Sequence, residues 1–304
     1  MNFQDKVKNK ASGIVVYGIT PPKAGTDPDK VKEIASKQMA RLSHLDLDGL
    51  ILYDIQDEES RTSVERPFPF METLDGLEYS QQYLHELSIP NIIYRSVGKY
   101  SEAELSEFLT HPGMSKNGTV FVGAASKDQA VTLNMKQAYA LKASVNKNMI
   151  MGGVTIPERH LTKGDEHIRV FEKIAQGCDF FVSQGVYDVN ATKSFLSDYY
   201  YYGQEHDIPL VPILLTLTPC GSPKTLDFMK WLGISIPRWL ENELIHSQDI
   251  LNQSVDVCVQ SWNEIKAFAD EKNIPIGVNI ESVATRKVEI DASIDLYHRI
   301  KETL

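Results

Sequence analysis

Eight short apolar runs, each followed by a stretch with helical periodicity, constrain what this chain can fold into more than any other feature. The runs are Gly13–Gly18 (GIVVYG), Gly49–Tyr53 (GLILY), Asn91–Tyr94 (NIIY), Thr119–Val122 (TVFV), Met149–Gly153 (MIMGG), Phe180–Gln184 (FFVSQ), Leu210–Leu215 (LVPILL) and Ile276–Ile280 (IGVNI). Nearly continuous apolar strands separated by helices belong to a parallel sheet whose outer face is covered. Eight such units favour a closed barrel over an open doubly wound sheet, and 304 residues suit one barrel of about 250 residues with insertions. The reading is a single α/β domain over residues 1–304, a (β/α)8 TIM barrel. Helix starts are legible as well. Thr26-Asp27-Pro28 opens a helix with Val31, Ile34, Ala35, Met39 and Leu42 on one face. Ser101 with Glu104, and Ser126 with Gln129, have the spacing of capping boxes. Two segments exceed the minimal barrel, residues 54–72 and about 219–251. Both follow strands, which puts them on the C-terminal face where barrel enzymes hold their active sites.

Composition excludes several function classes. A net charge of -10 argues against a nucleic-acid binder, which needs clustered Lys and Arg. No apolar run approaches the roughly 18 residues of a membrane span, and MNFQDKVKNK has no apolar stretch of the secretory type. Cys178, Cys220 and Cys258 are widely spaced and in no metal-binding pattern, as expected in a reducing, cytoplasmic setting. Cys220, in a Thr-Pro-Cys-Gly turn, is the one thiol with a nucleophilic alternative. There is no GxGxxG or Walker sequence, although Gly123-Ala124-Ala125-Ser126 could offer backbone N–H groups to a phosphate at a helix start. Asp165-Glu166-His167 and Glu205-His206-Asp207 contain ligand-type residues, but neither has a partner cluster in the sequence, so no metal is expected. Trp231, Trp239 and Trp262 read as helix-packing anchors.

Specific motifs then accumulate in order. Gly153-Val-Thr-Ile-Pro157-Glu158-Arg-His160, Lys173-Ile-Ala-Gln-Gly177-Cys-Asp179 and Phe180-Phe-Val-Ser-Gln184-Gly-Val-Tyr-Asp188 are followed by Ile208-Pro209-Leu-Val-Pro212, Ile236-Pro237-Arg238-Trp239 and Gly277-Val278-Asn279. Pro21-Pro22-Lys23 precedes them all. Over nearly its whole length the chain resembles the methylenetetrahydrofolate reductase family. The resemblance implies an oxidoreductase of one-carbon metabolism and methionine biosynthesis. Such an enzyme reduces a methylene to a methyl group on a reduced folate, with FAD as cofactor and NADH or NADPH as electron source. The departures are as informative. The family's proton-donating Glu, three residues before the paired prolines, falls on Gly18. Its Arg-Gly-Asp turn falls on Gly123-Ala124-Ala125, its strand-three His on Tyr94, and its Tyr before Pro-Glu on Ile156.

Candidate residues follow from both sources. A reductase must protonate the pterin, and Glu281 and Asp54, just past strands eight and two, are the carboxyls placed to replace the missing acid. The resemblance assigns the flavin shell to His160, Lys173, Tyr94 and Ala125. For the substrate it implies Gln184, whose amide can both donate to and accept from a pterin. Asp188 and Glu158 stand beside it, and Asp188 has the alternative of capping the next helix. Arg61, or Arg66 in the Arg-Pro-Phe-Pro-Phe stretch, could pair with a folate carboxylate. The expected partner is a reduced folate or pterin, with neither nucleic acid nor membrane, and a homo-oligomer is compatible with the sequence. The alternatives are a flavin-free relative that binds folate for another C1 or methyl-transfer step, and a non-catalytic ligand-binding subunit.

Overall fold

A computed structural model describes residues 1–57, 62–124 and 129–304. Eight parallel strands close into a barrel in sequence order: β1 (Val15–Ile19), β2 (Gly49–Leu52), β3 (Asn91–Ser96), β4 (Gly118–Val122), β5 (Met151–Thr155), β6 (Phe180–Gly185), β7 (Ile213–Leu217) and β8 (Ile276–Glu281). The helices are α1 (Phe3–Lys8), α2 (Pro28–Leu42), α3 (Gly76–Tyr83), α4 (Glu102–Thr110), α5 (Met135–Val145), α6 (Pro157–Lys163), α7 (Glu166–Ala175), α8 (Val189–Glu205), α9 (Pro223–Trp231), α10 (Arg238–His246), α11 (Ile250–Glu271) and α12 (Lys287–Lys301). The (β/α)8 expectation holds.

Strand alternation divides the apolar residues into two sets. Ile14, Val16, Ile51, Ile92, Tyr94, Val120, Ile150, Phe180, Val182 and Leu214 form one cluster inside the barrel. Val15, Tyr17, Leu50, Leu52, Ile93, Phe121, Met151, Phe181, Leu215 and Leu217 pack against the helices. Volume is matched across the interior: a Cβ on Gly152 would lie 2.6 Å from the Phe180 ring, so the glycine makes room for that phenyl. The N-terminal end is closed by α1, which was not legible as an element. Asn2 caps it, accepting from Asp5 N, and Phe3 and Val7, one turn apart, insert into the interior cluster. Phe3 meets Phe180 edge-on at 5.3 Å.

Some boundaries differ from expectation for local reasons. Strand seven starts at Ile213 rather than Leu210 because Pro212 has no N–H for a ladder; its carbonyl instead accepts from Phe181 N at 2.9 Å. Strand five runs two residues later, to Thr155. The capping box before α5 is Asn134 with Gln137; the expected pair of Ser126 with Gln129 includes Ser126, which lies outside the described residues.

The long connection after β2 is seated rather than free. Ala24 N donates to Glu72 O and Leu74 N to Pro22 O, both at 2.8 Å, tying its end to the paired prolines through the Lys23–Thr73 bridge. Trp231 Nε1 donates to Val64 O at 2.9 Å, Phe68 meets Phe228 at 5.2 Å, and the Arg66 guanidinium lies 4.8 Å from the Trp231 ring. The connection therefore reaches from β2 to α9. Trp231 and Trp262 are packing anchors as expected, but Trp239 is 65% exposed. None of the described helices is long and apolar enough to cross a membrane.

Candidate active site at the barrel mouth

The C-terminal rim is built by the last inward positions of neighbouring strands. In register, Gly18 of β1 pairs with Glu281 of β8, so the residue where the resemblance expects an acid sits directly beside a carboxyl on the next strand. The space a side chain at position 18 would need is taken by Tyr53: a Cβ there would lie 2.8 Å from both Cε2 and the hydroxyl of that ring. The Tyr53 hydroxyl donates a short hydrogen bond to Glu281 Oε2 and accepts from Asn279 Nδ2 at 2.9 Å. Asn279 Nδ2 also reaches Thr216 Oγ1 at 3.0 Å, and Thr216 Oγ1 donates to Ser183 O at 2.6 Å. Tyr94 stands edge-on to Tyr53 at 4.8 Å. A chain of hydrogen bonds thus runs around the rim from β6 to β2, and its outer end is Glu281.

Electrostatics favour the uncharged form of that carboxyl. Glu281 keeps some exposure to the mouth, yet its carboxyl lies deep enough that burial raises its pKa, against the lowering effect of the Tyr53 and Asn279 hydrogen bonds. Burial, then the neighbouring Glu281 charge, pushes the Tyr53 phenol well above its usual value, so Tyr53 remains a donor. A carboxyl whose pKa is raised by burial keeps its proton to higher pH than an exposed one and can give it to a bound base. Tyr53 was not singled out in the sequence and Asn279 was named only within its motif; for Tyr53 the signal was the strand alternation, which places it two residues past the inward Ile51.

The other expected residues separate. Asp54 accepts from Ser96 N at 2.7 Å, Lys99 Nζ at 2.6 Å and the Tyr100 hydroxyl at 2.9 Å. With both oxygens engaged, it clamps the β2 and β3 ends together. Asp188 takes its alternative role, capping α8 through Ala191 N at 3.0 Å. Gln184 lies at the break in the β6–β7 register, and its Nε2 donates to Leu232 O at 2.9 Å, holding the chain after α9; its oxygen is the end left to meet a ligand. Glu158, at the start of α6, is 7% exposed, and burial pushes its pKa up to about 8. The backbone N–H groups of Glu158, Tyr187 and Asp188 lie near enough to favour its charge, but none makes an aligned hydrogen bond to it. Arg61 and Ala125 lie outside the described residues. Cys220 is fully buried, and burial pushes its thiol up to about 12, which removes the nucleophilic alternative.

The residues surviving from the flavin shell have turned inward. His160 Nε2 pairs with Asp198 Oδ2 at 3.0 Å, among the helices outside the barrel. Lys173 Nζ donates to Val154 O at 2.6 Å, and burial lowers its pKa. Tyr94 packs on Tyr53, and Ile156 supplies no hydroxyl. A flavin needs donors free to meet its ring and diphosphate; Lys173 Nζ and His160 Nε2 spend theirs within the chain, and the Tyr94 ring is turned onto Tyr53. They do not fit the group. Purified protein should therefore release well under one equivalent of FAD on denaturation, measured by absorbance of the supernatant; a stoichiometric yield would overturn this reading.

Fold and site together define a (β/α)8-barrel protein whose mouth carries a protonatable carboxyl in a tyrosine–asparagine–threonine network. The methylenetetrahydrofolate reductase family model matches residues 131–272. A solved structure from Clostridium thermocellum is 50% identical, with a TM-score of 0.89 over 99% of this chain and 99% of that chain, and is described as an uncharacterized protein that binds two copies of 5-methyl-5,6,7,8-tetrahydrofolic acid. The chain belongs to the methylenetetrahydrofolate reductase family. Dihydropteroate synthases from Xanthomonas albilineans and Vibrio fischeri align over 97% of this chain and 94% and 93% of theirs, each at 10% identity and a TM-score of 0.47, too distant to bear on its function. No curated protein matches.

Proposed function

We propose that this chain binds a reduced folate of the 5-methyltetrahydrofolate type in the barrel mouth, that Glu281 exchanges a proton with the pterin, and that it does so without flavin. One observation carries the reading: the register of Gly18 with Glu281, with Tyr53 lodged between them. The family's acid is thereby replaced from the adjacent strand at nearly the same point of the rim, while the flavin positions are given over to internal bonds. The folate bound by the 50%-identical relative supports the choice of ligand.

The chemistry follows from the groups. A pterin presents ring nitrogens, an amide-like edge and a flat face. Tyr53 and Tyr94 offer ring edges and faces for stacking, and the free amide oxygen of Gln184 can accept from the pterin edge. In its protonated form, which burial favours, Glu281 donates to a basic nitrogen and becomes a carboxylate that Tyr53 and Asn279 stabilise by hydrogen bonds. Protonation of the nitrogen that bears the one-carbon unit weakens its hold on that unit, a step that C1 transfer needs as much as reduction does.

The test is calorimetric titration of the purified protein with 5-methyltetrahydrofolate, FAD and NADH in turn. Folate should bind with a Kd of roughly micromolar or tighter, about -8 kcal/mol, and FAD should give no heat. Absence of folate binding would sink the proposal. Oxidation of NADH dependent on methylenetetrahydrofolate would return the chain to the family's reductases.

A further inference from the structure

Outside the barrel, α6, α7 and α8 bring together two imidazoles and a carboxylate whose ligand atoms all lie within 4.8 Å of one another: His160, His167 and Asp198. Asp165-Glu166-His167 showed ligand-type residues without a partner cluster in the sequence, and the partners His160 and Asp198 are brought to His167 only by the fold. We propose that they form a binding site for a borderline first-row dication, of which Zn2+ is the natural probe.

Several observations point to a cation rather than a simple ion pair. The His160 and His167 rings meet edge-on at 5.2 Å, and the Nδ1 atom of each is buried with no hydrogen-bond partner. Unpaired buried nitrogens are costly and call for an explanation such as an ion. His160 is 6% exposed, while the Asp198 side chain is 53% exposed. The cluster therefore has a rigid floor and an open side through which an ion and its waters can enter. Asp165, which acts electrostatically on His167, keeps a buried oxygen without a partner and adds negative potential. Two imidazoles and one carboxylate, with water completing the shell, suit Zn2+, Co2+ or Ni2+ and not a hard oxygen-seeking ion. Bound there, the ion would staple α6, α7 and α8 over β5 and β6.

The experiment uses the full chain stripped with a chelator and dialysed, without folate. At about a hundredfold excess over Kd, Zn2+ should raise the melting temperature by roughly 3–8 °C, and Co2+ should give visible d–d absorption of a low-coordinate site. His167→Ala should weaken Zn2+ binding at least tenfold. Asp198→Asn, at an exposed position that keeps a hydrogen bond to His160, should weaken it similarly with the fold intact, which covers the case in which His167→Ala does not fold. No stabilisation and no cobalt spectrum with the wild-type chain, or Zn2+ affinity unchanged in Asp198→Asn, would overturn the site.

Discussion

Glu281→Ala should weaken binding of 5-methyltetrahydrofolate by roughly 5- to 150-fold, the 1–3 kcal/mol typical of losing one buried hydrogen-bonding partner. Glu281→Gln should behave differently. Its amide can still donate but has no proton to transfer, so affinity should stay within a few fold of wild type. The pH dependence is what it should lose. Because burial raises the Glu281 pKa, wild-type affinity should be greatest at lower pH and fall as pH rises through that raised value, when the donor becomes a carboxylate. The Gln variant should be flat over the same interval. Any turnover that depends on the proton should drop by about 10²- to 10⁴-fold in Glu281→Gln. Titrations across pH with the three proteins decide the matter. If Glu281→Ala binds folate as tightly as wild type, Glu281 is a wall of the mouth and the acid lies elsewhere.

The second large effect concerns stability, and it comes from Glu158. Burial holds its pKa near 8 against an ordinary 4.5, with the neighbouring Asp188 charge adding to the rise. Between these two pH values the native state keeps a proton that the unfolded chain has released. Stability is therefore fully present below about 4.5, falls as pH rises, and reaches its low plateau above about 8. The loss is on the order of a few kcal/mol, or roughly 5–10 °C in melting temperature for a chain of this size. Glu158→Gln carries no such proton, so its melting temperature should fall less steeply over the same window. A wild-type curve that rises from pH 5 to 8, or a variant as steep as wild type, would show that Glu158 is ionised and paired in solution.

Much of the fold was legible because the eight apolar runs and the helices between them are set by local periodicity, and the closed order of the strands follows from a parallel sheet that must cover its outer face. The N-terminal plug was not legible: a six-residue helix has too few apolar positions to stand out, and Phe3 and Val7 acquire meaning only against Phe180. The capping box before α5, Asn134 with Gln137, has the same spacing as Ser126 with Gln129 and was passed over, because only the backbone shows which such pair opens the helix.

Of the candidate site, Glu281 and Gln184 were found at strand ends from sequence alone, while Asp54 was indistinguishable from them there. What separates the carboxyls is the set of donors each one meets. Asp54 faces Lys99, Tyr100 and Ser96 N, and Glu281 faces Tyr53 across the barrel seam. Position 18 shows the same division. The sequence determined that no acid stands there, since glycine has no side chain to offer. Only closure of β1 against β8 decided that Glu281 stands beside it and that the Tyr53 ring fills the gap. Local pattern fixes which residues face inward, but the neighbours of an inward side chain come from strands far apart in the chain, and their hydrogen bonds and burial exist only once the barrel has closed.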